Sequence, residues 1–352
     1  MKIKTSAIVY GIRYIRRFGL RTLIIRIIEK KREKDSEYQS FYLETKASLE
    51  QLENQRMEVS HWNKKEKISI VTPLYHTPAI FLRELIESVL ESSYENWQLC
   101  FADATQDGEE NQIENIVKEY QKMDEKLPGK KSRICYKKLS QNYGIAENTN
   151  QALAMAEGDY IAFLDHDDII TPDALYEMAL AAKCAKKTGK EANMFYSDED
   201  KVNENRTAFF EPHFKPDFNQ DLLNSNNYIT HFLMVSRELL DQVGGMNKEY
   251  DGAQDYDFIL RCTELADNVI HIPKVLYHWR VHERSTAAGA GSKDYAIDAG
   301  KCAIESHLQR MGENGKVVVT PYFGFYRIEY GINTENKTED YVLFADQSLK
   351  PL

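Results

Sequence analysis

From Ile68 onward the chain alternates short apolar runs with amphipathic stretches. Ile68-Ser69-Ile70-Val71 is rich in β-branched residues and reads as a strand that stops at Thr72-Pro73. Thr77 is placed to cap a helix with Pro78 at its first position, running to about residue 92. The alternation continues with a strand over 98–102, a helix near 109–122, a strand near 133–136, a helix near 145–156 and strands over 159–164 and 193–196. This order predicts an α/β fold, a mixed, mostly parallel sheet with helices on both faces. In such sheets ligands sit beyond the carboxyl ends of the strands, so chemistry is sought there.

Upstream the pattern differs. Ile8, Ile12, Ile15 and Leu23 follow helical spacing with Arg13, Arg17 and Arg21 opposite, and Gly19 marks a break in phase. A basic amphipathic helix of this kind lies in a membrane interface with Arg toward anionic headgroups. The same stripe would equally dock on the body or on another subunit. Residues 36–58 read as a polar helical connector, and Asn63-Lys64-Lys65-Glu66-Lys67 as a boundary.

Charge sharpens this division. Residues 1–34 hold 11 basic and two acidic side chains, a charge of +9, whereas the whole 352-residue chain carries −10. The rest is therefore strongly acidic, which argues against a general nucleic-acid binder. A content of 42% hydrophobic and 11% aromatic residues suffices for a core and excludes a disordered chain. The five cysteines are widely spaced without a CxxC pair, fitting a reducing compartment and neither a disulfide framework nor a zinc cage. No apolar run approaches the roughly 18 residues of a membrane span, and the N-terminus does not read as a signal peptide.

Two strand ends carry carboxylates. Asp103 follows Leu99-Cys100-Phe101-Ala102, where it is either a turn residue or a hydrogen-bond acceptor for a ligand. Asp165-His166-Asp167-Asp168 follows an apolar strand directly, and Thr171-Pro172 reads as the cap of the next helix. Three carboxylates in four residues repel unless a cation or strong donors neutralise them. Oxygen ligands without thiols suit Mg²⁺ or Mn²⁺, held together with substrate phosphates.

Several segments together resemble family 2 of the glycosyltransferases, inverting enzymes with the GT-A fold, of the bacterial surface-polysaccharide and rhamnosyltransferase-like type. They are Ser69-Ile70-Val71-Thr72-Pro73-Leu74-Tyr75, Asp103, Asn142-Tyr143-Gly144-Ile145-Ala146 with Asn148 and Asn150, and the run from Ala156 to Asp168. Val243-Gly244-Gly245-Met246, Gln254-Asp255-Tyr256-Asp257-Phe258 and Tyr277-His278-Trp279-Arg280-Val281-His282 follow in order. The match covers about 68–308. It implies a GT-A-type, Rossmann-like domain over 67–311, preceded by the basic helices 1–34 and the connector 35–66 and followed by strands and a tail over 312–352.

The resemblance also implies roles. Thr72, Pro73, Tyr75, Asn142, Gly144, Asn148, Asp165 and His166 fall where the family binds its donor, and Asp103 where it accepts the N3–H of uracil or thymine, so the donor would be a UDP- or dTDP-sugar. Asp165-His166-Asp167 matches the DXD motif, with Asp167 and His282 on the metal. His278 competes with His282 for that place. Asp255 matches the base that takes the acceptor proton, although Gln254 stands where the family has Glu. Asp198 and Glu199 read either as acceptor contacts or as a solvated acidic loop, and Trp279 and Arg280 as flanking residues that stack on a sugar or pair with phosphate. The acceptor implied is a lipid-linked glycan or growing surface polysaccharide, at the cytoplasmic face of the plasma membrane. A catalytically degenerate assembly partner is the alternative. A sugar nucleotidyltransferase would need a Gly-rich basic loop after the first strand, which Thr72-Pro73-Leu74-Tyr75-His76-Thr77 does not offer.

Overall fold

The computed structural model describes residue 20 and residues 36–106, 112–125, 132–189, 192–282 and 293–331. The expected interfacial helices over 1–34, residue 20 aside, and the tail beyond 331 lie outside these. Among the described residues no helix is long and apolar enough to cross a membrane.

The first half of the sheet is parallel. β1 (Ile68–Leu74), β2 (Trp97–Asp103), β3 (Ile134–Lys138) and β4 (Tyr160–Phe163) lie in the order β3-β2-β1-β4. β1 does not stop at Thr72-Pro73. Its pairing with β4 ends at Val71 while its pairing with β2 runs on to Leu74, so Pro73 removes no ladder bond to β4.

The second half is mixed. β5 (Ile169–Ile170), β6 (Met194–Asn203), β7 (Phe209–His213), β8 (Leu233–Ser236) and β9 (Val269–Val281) extend the sheet as β4-β8-β6-β9-β5, with β7 on β6. β8 is antiparallel to β4 and β6, whereas β6 and β9 are parallel. The expected strand over 193–196 is thus a ten-residue strand that contains the whole acidic run.

Helices cover both faces. α1 (Ser36–Thr45) and α2 (Leu49–Ser60) precede the sheet. α2 opens on a capping box between Ser48 and Gln51. α3 (Ala79–Leu90), α4 (Ile113–Asp124) and α6 (Ala174–Lys187) bury their apolar sides with Val59 and Trp62 against one face. α5 (Ile145–Leu153), α7 (Gln220–Ser225), α8 (Arg237–Val243), α9 (Gln254–Leu265) and α10 (Lys293–Arg310) cover the other. The hairpin of β10 (Gly315–Val319) and β11 (Tyr326–Tyr330) adds Val317 and Tyr326 to that second core.

Two expected caps are not used. α3 starts after Pro78 without a side-chain cap, and the Thr77 hydroxyl contacts His166 instead. α6 starts after Asp173, whose carboxylate accepts from Thr171 at 2.6 Å.

Candidate active site

β4 delivers the acidic turn to the carboxyl edge of the sheet. Leu164 N–H still bonds Val71 O at 3.2 Å, and the Asp168 N–H closes back on Asp165 O at 3.2 Å. The four residues then diverge. Asp165 is exposed, with Oδ2 3.6 Å from His231 Nε2. Asp167 Oδ2 lies 2.8 Å from His282 Nε2. Asp168 is buried and accepts from the Tyr277 hydroxyl at 2.5 Å and the Arg280 N–H at 2.7 Å. Burial and the adjacent Asp167 and Asp165 charges push its carboxyl well above the usual range.

His282, at the end of β9, therefore reaches Asp167 as expected, and His278 does not. His278 is buried one strand-face away, between Asp200 Oδ1 at 2.5 Å and the Tyr42 hydroxyl at 2.9 Å. Asp165, Asp168 and His231 hold ligand atoms within 4.8 Å of one another. The Asp165 and Asp168 carboxylates and, as a separate pair, Asp167 with the His282 imidazole are oxygen and nitrogen ligands of the kind Mn²⁺ or Mg²⁺ takes, so these residues fit a divalent ion. A protonated His231 offers it no lone pair.

Arg280 does not face a phosphate. It is fully buried, donating Nε–H to Asp167 O at 2.6 Å and Nη1–H to Glu204 O at 2.9 Å, with Nη1 2.7 Å from Glu84 Oε2. It pins the backbone of the acidic turn from behind. Trp279 is half-buried, 6.0 Å from the His231 ring and below Lys201 at 5.4 Å.

The acidic run on β6 is not a solvated loop, because Asp198, Glu199 and Asp200 are all buried and each is answered by partners from distant segments. Asp198 accepts from Lys215 N–H and His271 Nε2, both at 2.8 Å. Asp200 accepts from the Tyr38 hydroxyl at 2.7 Å as well as from His278. Glu199 takes the Thr230 hydroxyl at 3.0 Å, His231 Nδ1 at 3.0 Å and Lys215 Nζ at 3.4 Å. Burial would raise the Glu199 carboxyl, but Lys215 and His231 hold it well below the usual range. Burial would likewise lower the His231 ring, yet Glu199 and Asp165 keep it well above the ordinary imidazole range. His231 also stacks on Tyr277 with centroids 4.6 Å apart. No spacing in the sequence marks this residue, which β8 carries to the site by pairing with β4.

Asp255 occupies the first turn of α9 and accepts from Asn227 Nδ2 at 3.0 Å. Burial raises its carboxyl, with the nearby Asp165 charge adding and the His231 charge opposing. Gln254 Oε1 accepts the Gly252 N–H at 2.8 Å and so orders the entry to the helix. Asp257 points away, bonded to Arg261 at 2.8 Å.

At the β1 end, Thr72 and Pro73 are buried within the strand, and Tyr75 is the exposed member of the expected donor contacts there. Asp103 is also buried. It accepts from Thr105 N–H at 2.9 Å, the Tyr136 hydroxyl at 2.7 Å and Lys138 Nζ at 3.1 Å. Burial would raise its carboxyl, but these hydrogen bonds outweigh it and lower it. Asn142 Oδ1 accepts from Gly144 N–H at 3.0 Å and Asn148 Nδ2 at 2.8 Å, closing a turn before α5. Asn148 is buried and uses both ends of its amide within that turn. Gly144 has φ of +100°, and a Cβ there would stand 2.6 Å from Asp251 Oδ2. Asn150 is taken up in clamping the Met246 backbone.

A profile described as Glycosyl transferase family 2 matches residues 69–244. The chain is 34% identical over 291 residues to the O-antigen biosynthesis protein RfbC of Myxococcus xanthus, covering 82% of this chain and 22% of RfbC. It is 38% identical over 263 residues to the uncharacterized protein y4gI of Sinorhizobium fredii, covering 74% of this chain and 27% of y4gI. The chain thus spans about a quarter of the length of these relatives. The structure of S. aureus TarS 1–349 in complex with UDP-GlcNAc superposes with a TM-score of 0.54 at 18% identity, over 69% of this chain and 66% of that one. At that identity the likeness speaks for the GT-A fold.

Proposed function

Because the chain belongs to glycosyl transferase family 2, we propose that it moves a sugar, with inversion, from a UDP- or dTDP-linked donor to a hydroxyl of a lipid-linked glycan or growing surface polysaccharide. The observation that carries this reading is the gathering of Asp165, Asp167, His282, His231 and Asp255 beyond the carboxyl end of β4 from segments up to 117 residues apart in the sequence.

In this reading Asp255 takes the proton of the acceptor hydroxyl as its oxygen attacks the anomeric carbon. The bond from that carbon to the diphosphate oxygen breaks, and the nucleoside diphosphate leaves. A carboxylate whose pKa is raised by burial is a better base than a solvated one. Asp167 and His282, with Asp165 and Asp168 beside them, would hold Mn²⁺ or Mg²⁺, which supplies positive charge for the departing diphosphate. His231, kept cationic by Glu199, lies on the same side and adds to that field. Asp103 stands at the family position for reading a pyrimidine. Its carboxylate is held ionised behind Tyr136 and Lys138, and a base reaching it would share or displace those donors. RfbC is named for O-antigen biosynthesis and TarS was crystallised with UDP-GlcNAc, which supports the donor class and a surface-glycan acceptor. The basic residues 1–34 would hold the enzyme on the anionic cytoplasmic leaflet beside such an acceptor.

A panel of UDP-, dTDP- and GDP-sugars assayed for metal-dependent release of nucleotide tests the proposal. Release from a UDP- or dTDP-sugar with Mn²⁺, abolished by EDTA, is expected. Turnover confined to GDP-sugars, or undiminished by EDTA, would overturn it.

A further inference from the structure

The turn between β10 and β11 holds three partly exposed aromatic rings. Tyr322, Phe323 and Phe325 are 48%, 37% and 46% exposed. Clustered exposed apolar side chains mark a binding surface more often than single ones do. The turn is also fixed. Thr320 donates both its N–H (3.2 Å) and its hydroxyl (2.8 Å) to Phe325 O, the Phe325 N–H reaches Tyr322 O at 3.2 Å, and Gly324 adopts φ of +75°. The Tyr322 and Phe325 rings stand edge to face with centroids 6.5 Å apart. Directly after them Tyr326 enters the core, its hydroxyl donating to Ile297 O at 3.0 Å. The rings are therefore presented on an ordered frame, and a ligand would not have to order them.

This turn is linked to Asp255 by two routes, one through the residues after α7 and one through α9 itself. Asn226 pairs with Phe325 as an isolated antiparallel bridge and donates Nδ2–H to Gly324 O at 2.9 Å. The next residue, Asn227, is the one that donates to Asp255 Oδ2. Independently, the ring of Tyr256, next to Asp255, lies 6.3 Å from that of Tyr326.

We propose that Tyr322, Phe323 and Phe325 form a stacking platform for the acceptor glycan, gripping sugar rings beyond the one whose hydroxyl reacts. Pyranoses offer apolar C–H faces bounded by hydroxyls. Flat aromatic faces with a polar rim, such as the Tyr322 hydroxyl, match that pattern. The proposal rests on the preceding reading only in taking Asp255 as the acceptor-side base.

Saturation-transfer NMR on the full chain tests it, with a rhamnose trisaccharide, an N-acetylglucosamine hexamer and an alternating glucuronate–N-acetylglucosamine hexamer as probes. Wild type should bind at least one probe, and Tyr322→Ala/Phe325→Ala should bind it about tenfold more weakly with UDP affinity unchanged. Tyr322→Phe/Phe325→Tyr, which keeps both rings, should bind like wild type. Should the double alanine variant melt early, Tyr322→Ala alone carries the comparison. Undiminished binding by the alanine variants, or binding of none of the three probes by wild type, overturns the platform. Asp255→Asn separates the two readings. Should that variant still transfer sugar while glycan binding depends on the rings, the base assignment fails and the platform stands.

Discussion

Arg280→Met isolates the cost of unpinning the acidic turn. Arg280 is fully buried and Glu84 is only 16% exposed, so the substitution leaves a carboxylate facing an apolar side chain. It also strands the carbonyls of Asp167 and Glu204, which accept from the guanidinium. Removing one partner of a buried pair costs about 3–5 kcal/mol. Arg206 remains 3.8 Å from Glu84 and compensates in part, so the lower end, about 3 kcal/mol, is expected. Glu84→Gln in the same chain removes the orphaned charge and should restore about 1–2 kcal/mol, a coupling typical of contacting residues. The carbonyl of Asp167 stays unpinned in both variants, so donor affinity should remain weakened in the double mutant even as stability returns. Urea denaturation followed by fluorescence, with UDP titrated in the presence of Mn²⁺, reads both quantities. A loss below about 1 kcal/mol, or a double mutant no more stable than Arg280→Met, would refute the view of Arg280 as a buried brace.

Asp255→Asn should keep nucleotide binding and lose transfer by about 10²–10⁴-fold; substantial transfer by that variant removes Asp255 as the base. Because burial raises the Asp255 carboxyl and the base must be ionised, kcat/KM should fall on acidification at a higher pH than for a solvated aspartate. A pH–rate profile without an acid limb above the usual carboxylate range counts against it. UDP or dTDP with Mn²⁺ should raise the melting temperature more than GDP does, and Asp103→Ala should erase that preference; equal shifts in wild type would discard Asp103 as the base reader. Glu199→Gln should lower the His231 pKa, read by NMR of the ring protons, since the neighbouring carboxylate charge that favours the protonated ring is gone; an unmoved titration would contradict the pairing. Deleting 1–34 should move the protein from the membrane to the soluble fraction, and unchanged fractionation would sink the interfacial reading.

The parallel half of the fold was legible because each strand there is a continuous apolar run closed by turn chemistry, and because the candidate site acids Asp103 and Asp165–Asp168 follow those strands directly. Asp103 and Asp167 stood out in this way, whereas His282 and Asp255, which lie at the end of β9 and on α9, were reached only through the family resemblance. The second half was harder to read. Asp198-Glu199-Asp200 has the composition of a surface loop, yet it lies inside β6 because Tyr38, Lys215, His231, His271 and His278 supply partners from 16 to 162 residues away. Hydrophobic periodicity carries no record of such pairing. His231 was missed for the same reason: it stands in an apolar run, and its charge is set by Glu199. Arg280 read as a flanking residue that stacks on a sugar or pairs with phosphate because sequence position near a site does not reveal which face of a strand a side chain takes.

The burial of the acidic run also changes the standing of the connector. Successive residues of a strand point to opposite faces. Asp200 bonds the Tyr38 hydroxyl of α1 and His278, which in turn meets the Tyr42 hydroxyl; its neighbour Glu199 holds His231 toward Asp165. One strand therefore carries the seat of α1 on one face and the cation of the site on the other. Tyr277, next to His278, stacks on His231 and bonds Asp168, so β9 repeats the same linkage. A shift of α1 would have to be absorbed by β6 and β9, the two strands that set His231 and His282. The described residues of α1 are on this geometry a part of the framework of the candidate site, and a truncation that removes α1 would disturb that site.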